Sequence, residues 1–342
     1  MKKALMINFG LRCNFSCKYC YLKGKEQLPI IDDTISGLKK VVSNNKDITF
    51  LNILGGEPLL ENEKLIDFLN FIKEINFNRE EKDKVFICIT TNGSIYLEHI
   101  KDFKDFLSLN ISIDGGEKSQ NKNRIFKNGD GTYKTCIEVI NKYSKDGIII
   151  GIHSVIKNPF LWKKCVSQLF KDLNNVEYTY SFNWDIQGGS AILELLNKAY
   201  VLSIGVKEMK KYNINFDFSV ARHEEKLCGG SYTFLVIDYD SKIYSCETKS
   251  SGTLIGEMKD GDIEIDMSNK YVLDKHIIDN YNIHYMSKKL SKNFIKNLKT
   301  YICNYRNEQI TNNKFTIPFR DVVYSFILST FFKDFLKEGN HV

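Results

Sequence analysis

The chain has 342 residues, 43% of them apolar and 26% charged, with a formal net charge of +6. That length supports one large α/β domain with a smaller appendage, and the apolar share is ordinary for a globular fold. Basic and acidic residues are interspersed, as in Lys82-Asp83-Lys84, which speaks against a nucleic-acid surface. No run approaches the ~20 apolar residues of a membrane span, and the start MKKALMINFG is too polar for a signal peptide, so a cytoplasmic location is expected.

In chain order, apolar runs of strand length at 4–9, 48–54, 85–91, 107–113, 148–156 and 178–184 alternate with helical patterns at 33–43, 65–75, 97–106, 135–144, 162–173 and 193–212. Strands that alternate with helices pair in parallel and present ligands at their carboxyl ends. Six such units predict an α/β fold, a partial (β/α)6 barrel of the TIM type over residues 1–217. The pattern changes near Phe218. Residues 233–237 and 242–245 read as a hairpin around the turn Asp238-Tyr239-Asp240-Ser241, followed by a Gly- and Asp-rich stretch and a polar helical region at 288–301. Residues 218–310 thus form a hairpin-plus-helix extension, and 311–342 a helical tail whose apolar run at 322–328 reads as a buried or docking helix.

Nine cysteines are too many, and odd in number, for a simple disulfide framework. Cys13, Cys17 and Cys20 crowd into the loop after the first strand as C-x3-C-x2-C. Three close thiolates hold three irons of a cubane and leave the fourth iron open to the amino and carboxylate groups of a small molecule. The competing readings are a zinc site, which usually wants four ligands in paired short spacings, and three structural thiols. Cys88, Cys136 and Cys165 sit inside strand or helix patterns and read as core.

This spacing, with Tyr19 just before the last cysteine, resembles the radical S-adenosylmethionine superfamily. The resemblance implies a four-iron four-sulfur cluster on Cys13, Cys17 and Cys20, and S-adenosylmethionine on its open iron. Tyr19 would lie against the adenine. Gly55-Gly56-Glu57-Pro58 follows the second strand, where the family binds the methionine amino group and glycines permit close backbone approach. Asn92, in Thr91-Asn92-Gly93, closes the third strand and competes with a simple turn. Ser112 and Asp114 close the fourth, facing the ribose, and Arg124 is placed to meet the methionine carboxylate. Which residues act on the substrate is left open.

Farther on, Cys228, Cys246 and Cys303 resemble part of the cysteine set of SPASM and twitch extensions, which carry auxiliary clusters. A full SPASM set has seven cysteines and this region has three, so the resemblance implies at most one further cluster, with a non-cysteine fourth ligand or an open iron. Enzymes of this kind suggest modification of a ribosomally made peptide through a thioether or other crosslink. Dehydrogenation of a small alcohol or amino-sugar, sulfatase-type maturation, and a non-catalytic iron–sulfur carrier or scaffold are the alternatives. The expected partners are the substrate, a reducing flavodoxin or ferredoxin, and a separate leader-recognition protein, because the sequence starts at its first barrel strand without a winged-helix domain.

Overall fold

The structure, a computed structural model, describes residues 3–184, 211–212, 215–216, 234–244 and 254–265. Six parallel strands and their crossovers fill the first part: β1 (Lys3–Asn8), α1 (Asp32–Asn44), β2 (Ile48–Leu54), α2 (Asn62–Phe77), β3 (Phe86–Thr91), β4 (Leu107–Ser112), α3 (Glu117–Asn123), α4 (Tyr133–Lys145), β5 (Ile149–Ile156), α5 (Pro159–Asp172) and β6 (Tyr178–Trp184). The later described strands are β7 (Asn215–Phe216), β8 (Phe234–Ile237), β9 (Lys242–Tyr244), β10 (Leu254–Lys259) and β11 (Asp262–Ile265). The partial-barrel expectation holds, with β1 to β6 parallel and in chain order.

Helix starts follow their local chemistry. Asp32 and Asp33 occupy the first turn of α1, where the helix dipole favours negative charge. Asn158 caps α5 by accepting a hydrogen bond from Leu161 N–H at 2.9 Å, and Pro159 takes the first helical position. Buried Ile35, Leu38, Val41 and Val42 recur at helical spacing on α1 and join the core with Leu5, Ile7, Leu51 and Ile53 of the sheet. On β4, buried Leu107, Leu109 and Ile111 alternate with half-buried Ser108, Asn110 and Ser112. The sheet therefore has one apolar face under the helices and one polar face toward the barrel interior.

Three stretches differ from the sequence reading. Residues 97–106 form a 3-10 helix at Glu98–Phe103 rather than an α-helix. Leu97, Ile100, Phe103 and Phe106 repeat every third residue, which matches three residues per turn. α3 carries no apolar stripe, and its inward face is Ser119, Gln120 and Asn123. β10 and β11 occupy the stretch taken as irregular. Their turn, Asp260-Gly261, has positive φ at both positions (51° and 91°), the geometry of a two-residue hairpin loop.

The predicted hairpin is present as β8 and β9, and its position is informative. β8 pairs parallel with β1, and β9, β10 and β11 follow antiparallel, so the described strands make one sheet ordered β11-β10-β9-β8-β1-β2-β3-β4-β5-β6-β7. Buried Asn8 donates from Nδ2 to Asp238 Oδ1 at 3.1 Å, and Ile31 N–H and Thr34 Oγ1 both donate to Tyr239 O. The hairpin turn is thereby fastened to β1 and the start of α1. Most of the predicted helix 193–212, the region 288–301 and the tail 311–342 lie outside the described residues.

Candidate active site

The loop after β1 is anchored on both sides by backbone. Gly56 N–H donates to Gly10 O at 3.0 Å and Glu57 N–H to Arg12 O at 2.7 Å, tying it to the end of β2. Ser16 N–H to Ile125 O, Lys18 N–H to Asn123 O and Lys127 N–H to Asn14 O lace it to the segment after α3. Phe15 and Phe126 close this contact edge to face, centroids 5.0 Å apart.

Cys13, Cys17 and Cys20 are free, half-buried thiols on this loop. Phe15 N–H donates to Cys13 Sγ and Leu22 N–H to Cys20 Sγ, each at 3.4 Å, and Asn92 Nδ2 approaches Cys13 Sγ at 3.9 Å. Burial raises the Cys13 thiol above its ordinary range and pushes Cys17 up to about 12, against the pull of the Arg124 cation. Bare thiolates are thus disfavoured here, while thiolates bound to cationic iron are not. Among the described residues no three His, Cys, Asp or Glu side chains are grouped to hold a single metal ion. A cubane takes each sulfur on a different iron, so this donor set fits a cluster with N–H···S support better than a zinc ion.

Beside the cysteines, three expected cofactor residues converge. Asp114 is 1% exposed. Its Oδ2 accepts from Tyr19 OH at 2.5 Å, and its Oδ1 from Arg124 Nε and Val155 N–H, each at 3.0 Å. The Arg124 guanidinium carbon lies 5.3 Å from the Tyr19 ring centroid, and Lys157 Nζ lies at the same distance. Burial opposes the guanidinium's charge, but Asp114, Tyr19 and Cys17 outweigh it and the net shift is upward. Burial, with Asp114 nearby, holds the Tyr19 phenol protonated despite Arg124.

A second group braces the ends of β2 and β3. Glu57, 1% exposed, accepts from Leu59 N–H (3.1 Å) and Thr91 Oγ1 (2.8 Å) at Oε1, and from Asn92 N–H (2.6 Å) at Oε2. Desolvation raises its carboxyl to about 7, partly offset by those donors. Asn92 Nδ2 donates to Asn14 Oδ1 at 2.8 Å, which carries the brace to the cysteine loop. The glycines serve the same contact: a Cβ on Gly55 would stand 2.4 Å from Gly10 O, and one on Gly56 2.2 Å from Arg12 O. The close approach they permit in this structure is to the loop backbone. Ser112 ends β4 in register with His153 on β5, half-buried and apart from these two networks.

Sequence reasoning missed Gln120, which is fully buried. Its Oε1 accepts from Asp114 N–H at 2.8 Å, its Nε2 donates to Thr132 Oγ1 at 3.1 Å, and its carbonyl accepts from Arg124 N–H. One glutamine so positions both members of the ion pair. Thr91, Asn14 and Lys157 were missed as well. Cys136 and Cys165 are buried as expected and Cys88 is half-buried, whereas Cys228, Cys246 and Cys303 lie outside the described residues.

A partial parallel barrel with three free thiols on the loop after its first strand offers the donor set of an iron–sulfur site. Residues 7–158 match the model of the Radical SAM superfamily, a family that implies a four-iron four-sulfur cluster and S-adenosylmethionine. The chain is 32% identical over 131 residues to an S-adenosylmethionine-dependent nucleotide dehydratase of Fibrobacter sp. (strain UWH6), covering 35% of this chain and 36% of that protein. It is 21% identical over 213 residues to the radical SAM cyclopropyl synthase TigE of Paramaledivibacter caminithermalis, covering 56% and 42%. The chain thus spans well under half the length of these two relatives. Among solved structures, native anSMEcpe with bound AdoMet and the Cp18Cys peptide superposes with a TM-score of 0.68 at 16% identity, covering 98% of both chains, a likeness of fold.

Proposed function

We propose that this chain is a radical S-adenosylmethionine enzyme that abstracts a hydrogen atom from a ribosomally made peptide and so introduces a thioether or other crosslink. The carrying observation is the convergence, at the carboxyl ends of parallel strands, of the three free thiols with the buried Tyr19–Asp114–Arg124 cluster. Cys13, Cys17 and Cys20 would hold the four-iron cluster. When bound, that cluster would supply the single electron for reductive cleavage of S-adenosylmethionine.

The chain's own residues bind and orient. Tyr19 would offer its ring to the adenine, Asp114 and, from the end of β4, Ser112 would meet the ribose, and Arg124 would offer its cation to the methionine carboxylate, where a charge-assisted pair is strong. The segment Gly55-Gly56-Glu57 would border the methionine amino group, and the Glu57–Asn92–Asn14 brace ties the cysteine loop to the strand ends. The peptide reading is supported by the fold likeness to anSMEcpe, whose structure holds a peptide. An auxiliary cluster on Cys228, Cys246 and Cys303 belongs to the same proposal, as does a separate leader-recognition protein. Among the described residues no helix is long and apolar enough to cross a membrane.

The test is anaerobic reconstitution with iron and sulfide, then dithionite and S-adenosylmethionine. Release of 5′-deoxyadenosine is expected from the native protein and not from the triple variant Cys13→Ala, Cys17→Ala, Cys20→Ala; release from that variant would overturn the assignment. For the substrate, short peptides encoded beside this gene would be co-expressed and searched by mass spectrometry for loss of hydrogen. No change in any of them would remove the peptide reading while leaving the radical chemistry intact.

A further inference from the structure

The wall of the barrel interior holds one glycine that packing does not explain. Gly151 stands inside β5, in register with Asn110 of β4 and Thr179 of β6. A glycine there weakens a strand, and it marks a bulge, the close approach of another backbone, or a ligand. The pairings run unbroken from Ser108–Ile149 to Ser112–His153 on one side and from Ile150–Tyr178 to Ile156–Trp184 on the other, so there is no bulge. A Cβ on Gly151 would meet Asn110 Oδ1 at 3.2 Å, Thr179 Oγ1 at 3.5 Å and the backbone only at Leu109 O, 3.8 Å away. Every other described glycine has a positive φ or would bring a Cβ within 3.0 Å of a neighbour. A ligand is the reason that remains.

The notch is neutral and faces inward. Ile111, Ile150, Ile152 and Tyr180 are buried on the helix side of these strands, so Asn110, Gly151 and Thr179 point to the barrel interior. Thr179 is exposed although β6 has a strand on either side. Strands β2 to β6 contain no Asp, Glu, Lys or Arg, so a charged group seated here would find no countercharge on them. Because β4 and β6 flank β5, Asn110 Oδ1 and Thr179 Oγ1 stand on opposite sides of the notch. The amide oxygen accepts, and the hydroxyl can donate. A trans peptide unit is flat and carries its N–H and C=O on opposite edges. Laid over Gly151, it would donate to Asn110 Oδ1 and accept from Thr179 Oγ1, and any side chain at 151 would lift it off the wall.

We infer that Gly151, Asn110 and Thr179 form a seat for one peptide unit of the substrate's backbone, independent of the side chains beside it. The seat rests on the peptide reading above for its class of occupant, and it deepens that reading by giving the chain a direction. A backbone lying along β5 reaches the Ser112–His153–Ser181 row roughly 7 Å farther toward the cofactor end.

The experiment uses the full-length reconstituted protein with S-adenosylmethionine and no reductant, so that binding is read without turnover. The probes are acetyl-dialanine methylamide, its all-ester analogue (which keeps the carbonyls and lacks every N–H), butyramide and ribitol, titrated by saturation-transfer NMR. The peptide probe is expected to bind the native protein at least about fivefold more tightly than the ester, and Gly151→Val and Thr179→Val are each expected to lose that preference. Gly151→Ala is expected to melt at or above the native temperature, since only the seat needs the glycine. Melting well below native would show that packing needs it and would overturn the seat. Equal or undetectable binding of peptide and ester would do the same, as would butyramide or ribitol binding more tightly than the peptide. A Gly151-dependent peptide preference without dithionite-driven release of 5′-deoxyadenosine would leave the seat standing and the radical reading fallen; release without that preference would do the reverse.

Discussion

The Asp114–Arg124 pair offers a measurement of how tightly the cofactor end of the barrel is prearranged. Asp114 is 1% and Arg124 8% exposed, and the pair is joined at 3.0 Å with Tyr19 OH and Val155 N–H on the same carboxylate. Asp114→Asn preserves the shape but removes the charge, leaving a buried guanidinium uncompensated. Breaking one side of such a pair costs about 3–5 kcal/mol, whereas replacing both partners often costs little. Taking ~3 kcal/mol and an m-value of ~3 kcal/mol/M, the urea midpoint of the cluster-free protein should fall by about 1 M. Arg124→Gln should cost a comparable amount, and the double variant much less than the sum, giving a coupling of at least ~2 kcal/mol in a double-mutant cycle. Single variants that each cost under ~1 kcal/mol and add independently would show that the carboxylate and guanidinium are solvated separately. The account of Asp114 as the hub of the site would then be wrong.

Other outcomes follow from the same geometry. Because the folded state raises Glu57 from 4.5 to about 7, it binds the Glu57 proton more tightly than the unfolded chain; stability from this group is full below pH 4.5 and declines as pH rises to 7, by about 3 kcal/mol. Unfolding free energies measured across that window should show a decline that is smaller in Glu57→Gln, and parallel curves would contradict the assignment. Burial that pushes Cys17 up to about 12 predicts that its alkylation by iodoacetamide in metal-free protein keeps accelerating above pH 9; a plateau near 9, read by peptide mass mapping, would refute it. Gly56→Ala sets a Cβ 2.2 Å from Arg12 O, so the loop must shift at a cost of about 1–3 kcal/mol. Its reconstituted iron content should fall relative to Ser36→Ala on exposed α1 surface, and equal iron in both would show that the loop adapts freely.

The parts of the fold legible in the sequence were those whose signal is periodic. Strands β1 to β6 carried alternating or continuous apolar runs, and α1, α4 and α5 their helical stripes. The polar helix α3 was invisible because its buried side chains are amides and a serine, whose burial is compensated by tertiary partners such as Asp114 N–H and Thr132. The Asp260-Gly261 turn was a legible hairpin signal that composition masked. At the site, the thiol spacing and the strand-end carboxylates could be read directly. What those carboxylates bond to could not, because Glu57 and Asn92 meet across 35 residues and Tyr19 and Asp114 across 95. Gln120 had no signal of its own, standing in a run of polar residues.

The seating of β8 against β1 has a consequence for how the chain is made. β1 is made before the other described strands, yet it is an interior strand of the sheet, flanked by β2 on one side and β8 on the other. Its second neighbour arrives late: Asn8 and its partner Asp238 are 230 residues apart. At ~5–20 residues per second that interval is on the order of ten to fifty seconds. During it the β1 edge and the Asn8 amide stand unpaired, an open template for other strands. Nascent chains arrested before residue 234 should therefore be more prone to aggregate and easier to cleave near β1 than chains arrested after residue 265. The late hairpin acts as the latch of the sheet, closing the side of β1 that stays open while the strands between are made.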